Sequence, residues 1–191
     1  NIKNITILDG KNPEDKEKLD FVIQNNIKTI FWNEYLDTLE NYDLIIKSPG
    51  ITPYNEKILP FKDRLTSQTQ IFFDNYKWKV IWITGSKGKS TTSTLAYQFL
   101  SSISSKVRLV WNIWTPVLDE IDVNSNDVYD YIVYELSSYM LEWLKPKLYV
   151  SILNNIYDVH LDWHHWKVNY SQAKENILLN SENRLVNFEL S

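Results

Sequence analysis

Thr84-Gly85-Ser86-Lys87-Gly88-Lys89-Ser90-Thr91-Thr92 follows the apolar run Val80-Ile81-Trp82-Ile83 and precedes a helix-like segment from Ser93 to Leu100. Strand, glycine-bearing turn and helix start, in that order, are the context a phosphate-binding loop needs. Glycine lets the backbone curl until successive N–H groups face phosphate oxygens, and the helix N-terminus adds a favourable dipole. In that reading Gly85, Ser86, Lys87, Gly88, Lys89, Ser90 and Thr91 bind ATP. Lys89 reaches the terminal phosphates, and the hydroxyl of Ser90 or Thr91 holds a Mg²⁺. The full pattern places a glycine five positions before Gly88, where Ile83 stands. An ordinary turn that happens to read Gly-Lys-Ser-Thr is the competing interpretation.

Apolar, β-branched runs of strand length recur at 5–8, 29–31, 44–46, 80–83, 131–133 and 149–153. Helix-like segments lie at 14–24, 91–100, 138–144 and 170–179. This alternation predicts an α/β fold with βαβ units and a parallel sheet buried on both faces. The polar stretch Asp74-Asn75-Tyr76-Lys77 predicts a boundary, with a small α/β unit at 1–76 and the phosphate-loop domain at 77–191.

With 191 residues, 43% of them apolar, the chain can fill one large core or two small ones. A net charge of −4 argues against a general nucleic-acid binder, and the lack of cysteine excludes disulfides and thiolate metal sites. No apolar run reaches the roughly 18 residues of a membrane span, and no signal peptide opens the chain, so a cytoplasmic location is expected. One count is out of line. At about 7% glycine a chain of this length would hold roughly 13; this one has 4 Gly against 8 Trp.

Three further groups could carry chemistry. Glu135 ends the strand-like Tyr131-Ile132-Val133-Tyr134, which puts a carboxylate at the sheet edge where open α/β folds bind ligands. It suits a nucleotide-bound Mg²⁺, or simply faces water. All three histidines cluster as His160, His164 and His165. The i, i+4 spacing of His160 and His164 resembles a zinc helix, but Leu161 occupies the place of the glutamate base that a zinc protease requires. They remain ligand candidates or ordinary loop histidines. Lys174, on composition alone, is a surface helix lysine.

In combination these segments resemble the Mur ligases. Within that family they are most similar to the branch that adds D-glutamate to UDP-N-acetylmuramoyl-L-alanine. The matching stretches are IIKSPGITP from Ile45, ITGSKGKSTT from Ile83, NIWTPVLD from Asn112, YELSSYMLE from Tyr134, HLDWH from His160 and YSQAKENI from Tyr170. The SPGI turn and the ELSS-aromatic-x-LE stretch favour this branch over its sisters and over folylpolyglutamate synthases. The resemblance implies a Rossmann-like UDP-substrate domain at 1–76, missing its first strand and loop, and a truncated central ATPase domain at 77–191. It implies an ATP-dependent amide ligase of peptidoglycan synthesis acting through an acyl phosphate, with two Mg²⁺ ions and no obligate protein partner. Lys89 then cradles phosphates, Ser90 and Glu135 serve one Mg²⁺, and His160 serves the other. Lys174 matches the family's carbamylated lysine, a catalytic and metal-binding position. Asp9, Ser48, Pro49, Gly50, Asn112 and Ser137 match positions that grip the UDP-linked substrate.

The chain departs from the family pattern in two kinds of place. Val159 replaces an acid before the metal histidine, and Met140 replaces a substrate-contacting glutamine. Tryptophan stands at 82, 111 and 114 where the pattern reads glycine, and Trp32, Trp78 and Trp143 also suit glycine. An indole at such places is expected to overpack or block the site. UGA codons read as glycine by the source organism would account for all six. A competing reading of the whole chain is a nucleotide- or UDP-sugar-binding piece without turnover.

Overall fold

The computed structural model describes residues 4–11, 16–76, 78–111, 116–121, 129–142, 144, 148–157, 164, 166–179 and 181–187. The expectations at Asn112, Trp114, Trp143, Val159, His160 and His165 lie outside the described residues. The chain forms two compact units, residues 1–45 with 55–65 and residues 46–54 with 66–191.

In the first unit, strand β1 (Thr6–Asp9), helix α1 (Lys16–Gln24) and strand β2 (Lys28–Phe31) make one βαβ step. The strands pair in parallel, from Thr6 opposite Lys28 to Asp9 opposite Phe31. Trp32 follows with φ +80, and its N–H donates to the Asp9 carbonyl at 3.0 Å. Left-handed backbone of this kind crowds any Cβ, so glycine suits the position better than tryptophan. Two-residue strands β3 (Ile45–Ile46) and β4 (Leu65–Thr66) lie where the chain changes units.

The second unit holds helix α2 (Gln68–Asn75) and a fully parallel five-stranded sheet. The strands are β5 (Lys79–Thr84), β6 (Val107–Val110), β7 (Tyr131–Glu135), β8 (Leu148–Leu153) and β9 (Ser181–Val186), in the order β6-β7-β5-β8-β9. Among the described residues the unit also holds helices α3 (Lys89–Ile103), α4 (Val117–Glu120), α5 (Ser138–Leu141) and α6 (Lys167–Leu179). β5 reads as an unbroken apolar run because both faces of the central strand are covered; Val80 through Thr84 are all buried. The strand period of two then sorts its side chains. Val80 and Trp82 join Phe72, Ile132, Tyr134, Ala173 and Ile177 in one core. Ile81 and Ile83 join Val133 in the other, against Ala96, Tyr97 and Leu100 of α3.

The α/β parallel architecture is as expected, with several differences in detail. The helix expected at 138–144 ends at Leu141, while the one expected at 91–100 runs from Lys89 to Ile103. Strands β6 and β9 and helix α2 were not apparent in the sequence pattern. β9 is exposed along most of its length and shows no apolar run. The units also divide elsewhere than at 76/77. α2 belongs to the second unit because Phe72 and Phe73 are buried against Trp82, Phe73 stacking on it at 3.9 Å.

The indole of Trp82 is fully buried among Phe72, Phe73, Tyr76 and Tyr134. Its Nε1–H, however, finds no hydrogen-bond acceptor among the described residues, a penalty of about 1–3 kcal/mol. Met140 likewise points into the core, 7% exposed. Among the described residues, no helix is long and apolar enough to cross a membrane.

Candidate phosphate-binding site

Strand order reverses around β5: α3 leads from it to β6 on one side, while β8 pairs on the other. Ligands of open α/β sheets bind at the carboxyl ends of strands beside such a reversal. Residues 85–88 occupy that place, between the end of β5 and the first turn of α3. Gly88 caps α3 with φ +77 and ψ 2, a left-handed conformation that L side chains avoid. At Gly85 proximity decides: a Cβ there would lie 2.9 Å from the Asn154 Cβ and 3.2 Å from the Lys87 carbonyl.

The turn is held from β8. The Asn154 N–H donates to the Thr84 carbonyl at 3.0 Å, and Asn154 Nδ2 donates to Thr92 Oγ1 at 2.9 Å. Asn155 closes a two-way clamp, accepting from the Lys87 N–H at 2.8 Å and donating Nδ2–H to the Lys87 carbonyl at 3.1 Å. Ser86 Oγ accepts from the Tyr157 N–H at 2.8 Å and shares a 2.6 Å hydrogen bond with the Tyr170 hydroxyl. An open cleft of about 480 Å³ flanks the turn, lined among others by Lys87, Gly88, Asn154, Asn155 and Asn187.

Two amines converge on one carbonyl here. Lys89 Nζ donates to the Gly85 carbonyl at 3.1 Å, and Lys174 Nζ donates to the same oxygen at 3.0 Å and to Thr84 Oγ1 at 3.4 Å. Lys174 is no surface lysine: it is 2% exposed and lies over the Tyr170 ring, 5.0 Å from its centroid. Burial first, and the neighbouring Lys89 charge second, lower its pKa from 10.5 to about 7. Glu135 ends β7 opposite Ile83, one residue before the strand that feeds the turn finishes, and is 1% exposed. The crossing is tied down by the Leu136 N–H to the Ile83 carbonyl at 2.9 Å and by Thr84 Oγ1–H to the Leu136 carbonyl at 2.8 Å.

The structure therefore gathers Gly85, Ser86, Lys87, Gly88, Lys89, Lys174 and Glu135 at one sheet edge, with Ser90 and Thr91 in the first turn of α3. Ser137 precedes α5 just beyond Glu135. Ser48, Pro49 and Gly50 sit in a turn of the 46–54 segment; a Cβ on Gly50 would meet nothing within 4 Å. Asp9 ends β1 in the first unit, where its Oδ1 accepts from the Lys11 N–H at 3.0 Å. His164, read as a ligand or as a solvated or hydrogen-bonded loop residue, is fully buried with Nδ1 2.7 Å from Glu142 Oε2. The sequence reading missed Asn154, Asn155, Tyr157 and Tyr170 as the residues that hold the turn. Asn154-Asn155 directly after the β8 run was the available signal.

Residues 83–188 match the family model described as "Mur ligase middle domain". A UDP-N-acetylmuramoylalanine–D-glutamate ligase of Acetivibrio thermocellus is 34% identical over 170 residues, covering 86% of this chain and 36% of that protein. The ligase of the same name from Geobacillus sp. strain WCH70 is 34% identical over 189 residues, covering 94% and 40% respectively. The chain thus spans about two fifths of the length of these relatives. In fold it is similar to the MurF ligase of Thermotoga maritima, crystallised with ADP. The TM-score is 0.52 at 15% identity, over 98% of this chain and 44% of that one.

Proposed function

We propose a function from one premise: the chain belongs to the Mur ligase family. The reading is an ATP-dependent ligase that joins D-glutamate to UDP-N-acetylmuramoyl-L-alanine in peptidoglycan synthesis. The names of the relatives support this substrate pair. The observation that carries it is the meeting of Lys89 and Lys174 at the Gly85 carbonyl, beside the strand end that bears Glu135. A glycine turn that opens a helix, with the Lys89 amine on it, suits concentrated polyphosphate charge.

In this reading the substrate carboxylate attacks the γ-phosphorus of ATP, ADP leaves, and an acyl phosphate forms. The amine of D-glutamate then attacks the acyl carbon, phosphate leaves and the amine loses a proton. The turn's backbone and Lys89 hold the phosphates. Asn155 and Ser86 keep the turn in shape, which matters because misplaced donors forfeit much of the rate.

Ser90 and Glu135 fit one Mg²⁺. They offer hard oxygen donors, and the described residues contain no cluster of three acidic, histidine or cysteine side chains that would make a closed cage. Magnesium shared with phosphates and water needs only one or two protein ligands. When bound, it would screen the repulsion between the incoming carboxylate and ATP. A second ion, assigned to His160, concerns a residue outside those described. At Lys174, a pKa of about 7 leaves much of the amine neutral near neutrality. A neutral amine adds to CO₂, forming an N–C bond and releasing a proton, so the cation becomes an anionic oxygen ligand.

The test is ADP release by the full-length protein, with ATP, UDP-N-acetylmuramoyl-L-alanine and D-glutamate supplied singly and together. Release that requires all three is the expected result. Nucleotide binding without release would favour a module without turnover, and turnover with a folate substrate would favour a folylpolyglutamate synthase.

A further inference from the structure

Glu142, just after α5, reaches in two directions. Its Oε1 accepts from the Tyr54 hydroxyl at 2.6 Å, and its Oε2 pairs with His164 Nδ1 at 2.7 Å. Both side chains of this contact are buried, His164 wholly and Glu142 to 6% exposure. Tyr54 closes the segment 46–54, which packs with the second unit although the chain on either side belongs to the first.

That segment carries the Ser48-Pro49-Gly50 turn. From within, the Lys47 ammonium braces it, Nζ donating to the Ser48 carbonyl at 3.1 Å and the Ile51 carbonyl at 2.8 Å. The Ile51 N–H donates to the Ser48 carbonyl at 3.3 Å, and the Lys47 N–H donates to the Thr66 carbonyl at 2.8 Å. Burial lowers the Lys47 pKa to about 8, and the Glu142 charge opposes that drop. The turn is thus braced at both ends, with Ser48 and Gly50 exposed.

We propose that Glu142 is a positioning residue. Through Tyr54 it fixes the Ser48-Pro49-Gly50 turn on the unit that carries the phosphate loop, and through its other oxygen it holds His164. The ligand assigned to the turn, the UDP-linked substrate, rests on the function proposed above. The carboxylate ties Tyr54, 88 residues away in sequence, to the segment that follows α5. A buried hydrogen bond to a charged group is strong enough to decide where a short segment sits.

The experiment uses Tyr54→Phe and Glu142→Gln in the full-length protein. Tyr54→Phe removes one hydroxyl and keeps the ring. KM is measured separately for UDP-N-acetylmuramoyl-L-alanine and for ATP, and hydrogen exchange is followed at the Lys47, Ile51 and Ser86 amides without ligand. The expected result is KM for the UDP-linked substrate raised roughly tenfold, KM for ATP changed by less than about twofold, and faster exchange at Lys47 and Ile51 but not at Ser86. An equal rise in both KM values, or unchanged exchange at Lys47 and Ile51 in Tyr54→Phe, overturns the proposal. If the unaltered protein turns over no UDP-sugar, the functional reading fails and the exchange measurement alone decides on Glu142. If Glu142→Gln does not fold, Tyr54→Phe still gives the answer.

Discussion

Replacing Lys174 by methionine puts a number on the most unusual group in this protein. The side chain keeps its length and apolar stem but loses the amine. In the folded chain burial, and then Lys89, bring the pKa of Lys174 from 10.5 to about 7. At about 1.4 kcal/mol per pKa unit, the fold disfavours the ammonium by roughly 4–5 kcal/mol. Below pH 7 folded and unfolded chains are both protonated at this site, so the penalty is present in full and does not vary. Between about 7 and 10.5 the folded chain binds fewer protons than the unfolded one, so its stability rises with pH by up to about 1.4 kcal/mol per unit. The methionine variant lacks this dependence. Urea unfolding of both proteins in CO₂-depleted buffer at pH 6.5, 8 and 9 measures the gap. The variant is expected to be the more stable at pH 6.5, and its advantage to shrink by roughly 2–3 kcal/mol by pH 9. Lys47 also titrates in this window, but it is present in both proteins and cancels. A gap that stays constant from pH 6.5 to 9 would refute the lowered pKa of Lys174. Lys89→Met provides a control: it should raise the Lys174 pKa only in part, because burial is the larger cause.

Gly88→Ala meets ordinary contact at Asn154 but must adopt φ +77, so it should lose about 1–2 kcal/mol of stability, read as a lower urea midpoint. Gly85→Ala should weaken binding of a fluorescent ATP analogue more than Gly88→Ala does, since its Cβ displaces Asn154 or the turn itself. Asn155→Ala removes both arms of the Lys87 clamp; at about 1 kcal/mol per lost hydrogen bond, nucleotide affinity should drop at least fivefold by titration calorimetry. Trp32→Gly relieves left-handed strain on an exposed side chain and should raise the unfolding midpoint slightly; a clear fall would count against strain at that position. Sequencing the coding DNA bears on the same question, because UGG at Trp82, Trp111 and Trp114 would end the glycine interpretation.

Much of this was legible along the chain. A phosphate loop is a local object: its glycines, its lysine and the strand and helix around it lie within a dozen residues, so periodicity and turn chemistry reveal it. β5 and β7 were equally plain, because strands buried on both faces are apolar throughout. β9 escaped because, with exposed side chains over most of its length, it shows no such run. α2 was assigned to the wrong side of the boundary because the polar stretch after it looked like a linker, whereas Phe72 and Phe73 bind it to the sheet.

Lys174 marks the limit most clearly. Along the chain it is an ordinary helical lysine, and only resemblance singled it out; the fold buries it against a carbonyl 89 residues away, where desolvation changes its chemistry. Glu142, Tyr54 and His164 follow the same rule, since no spacing links residues that meet only after the sheet has assembled. Local pattern determined β5, β7 and β8, the glycine turn and the kind of ligand that turn suits. Burial and distance between remote segments, which exist only in three dimensions, decided which amines and carboxylates surround it and in what state of charge.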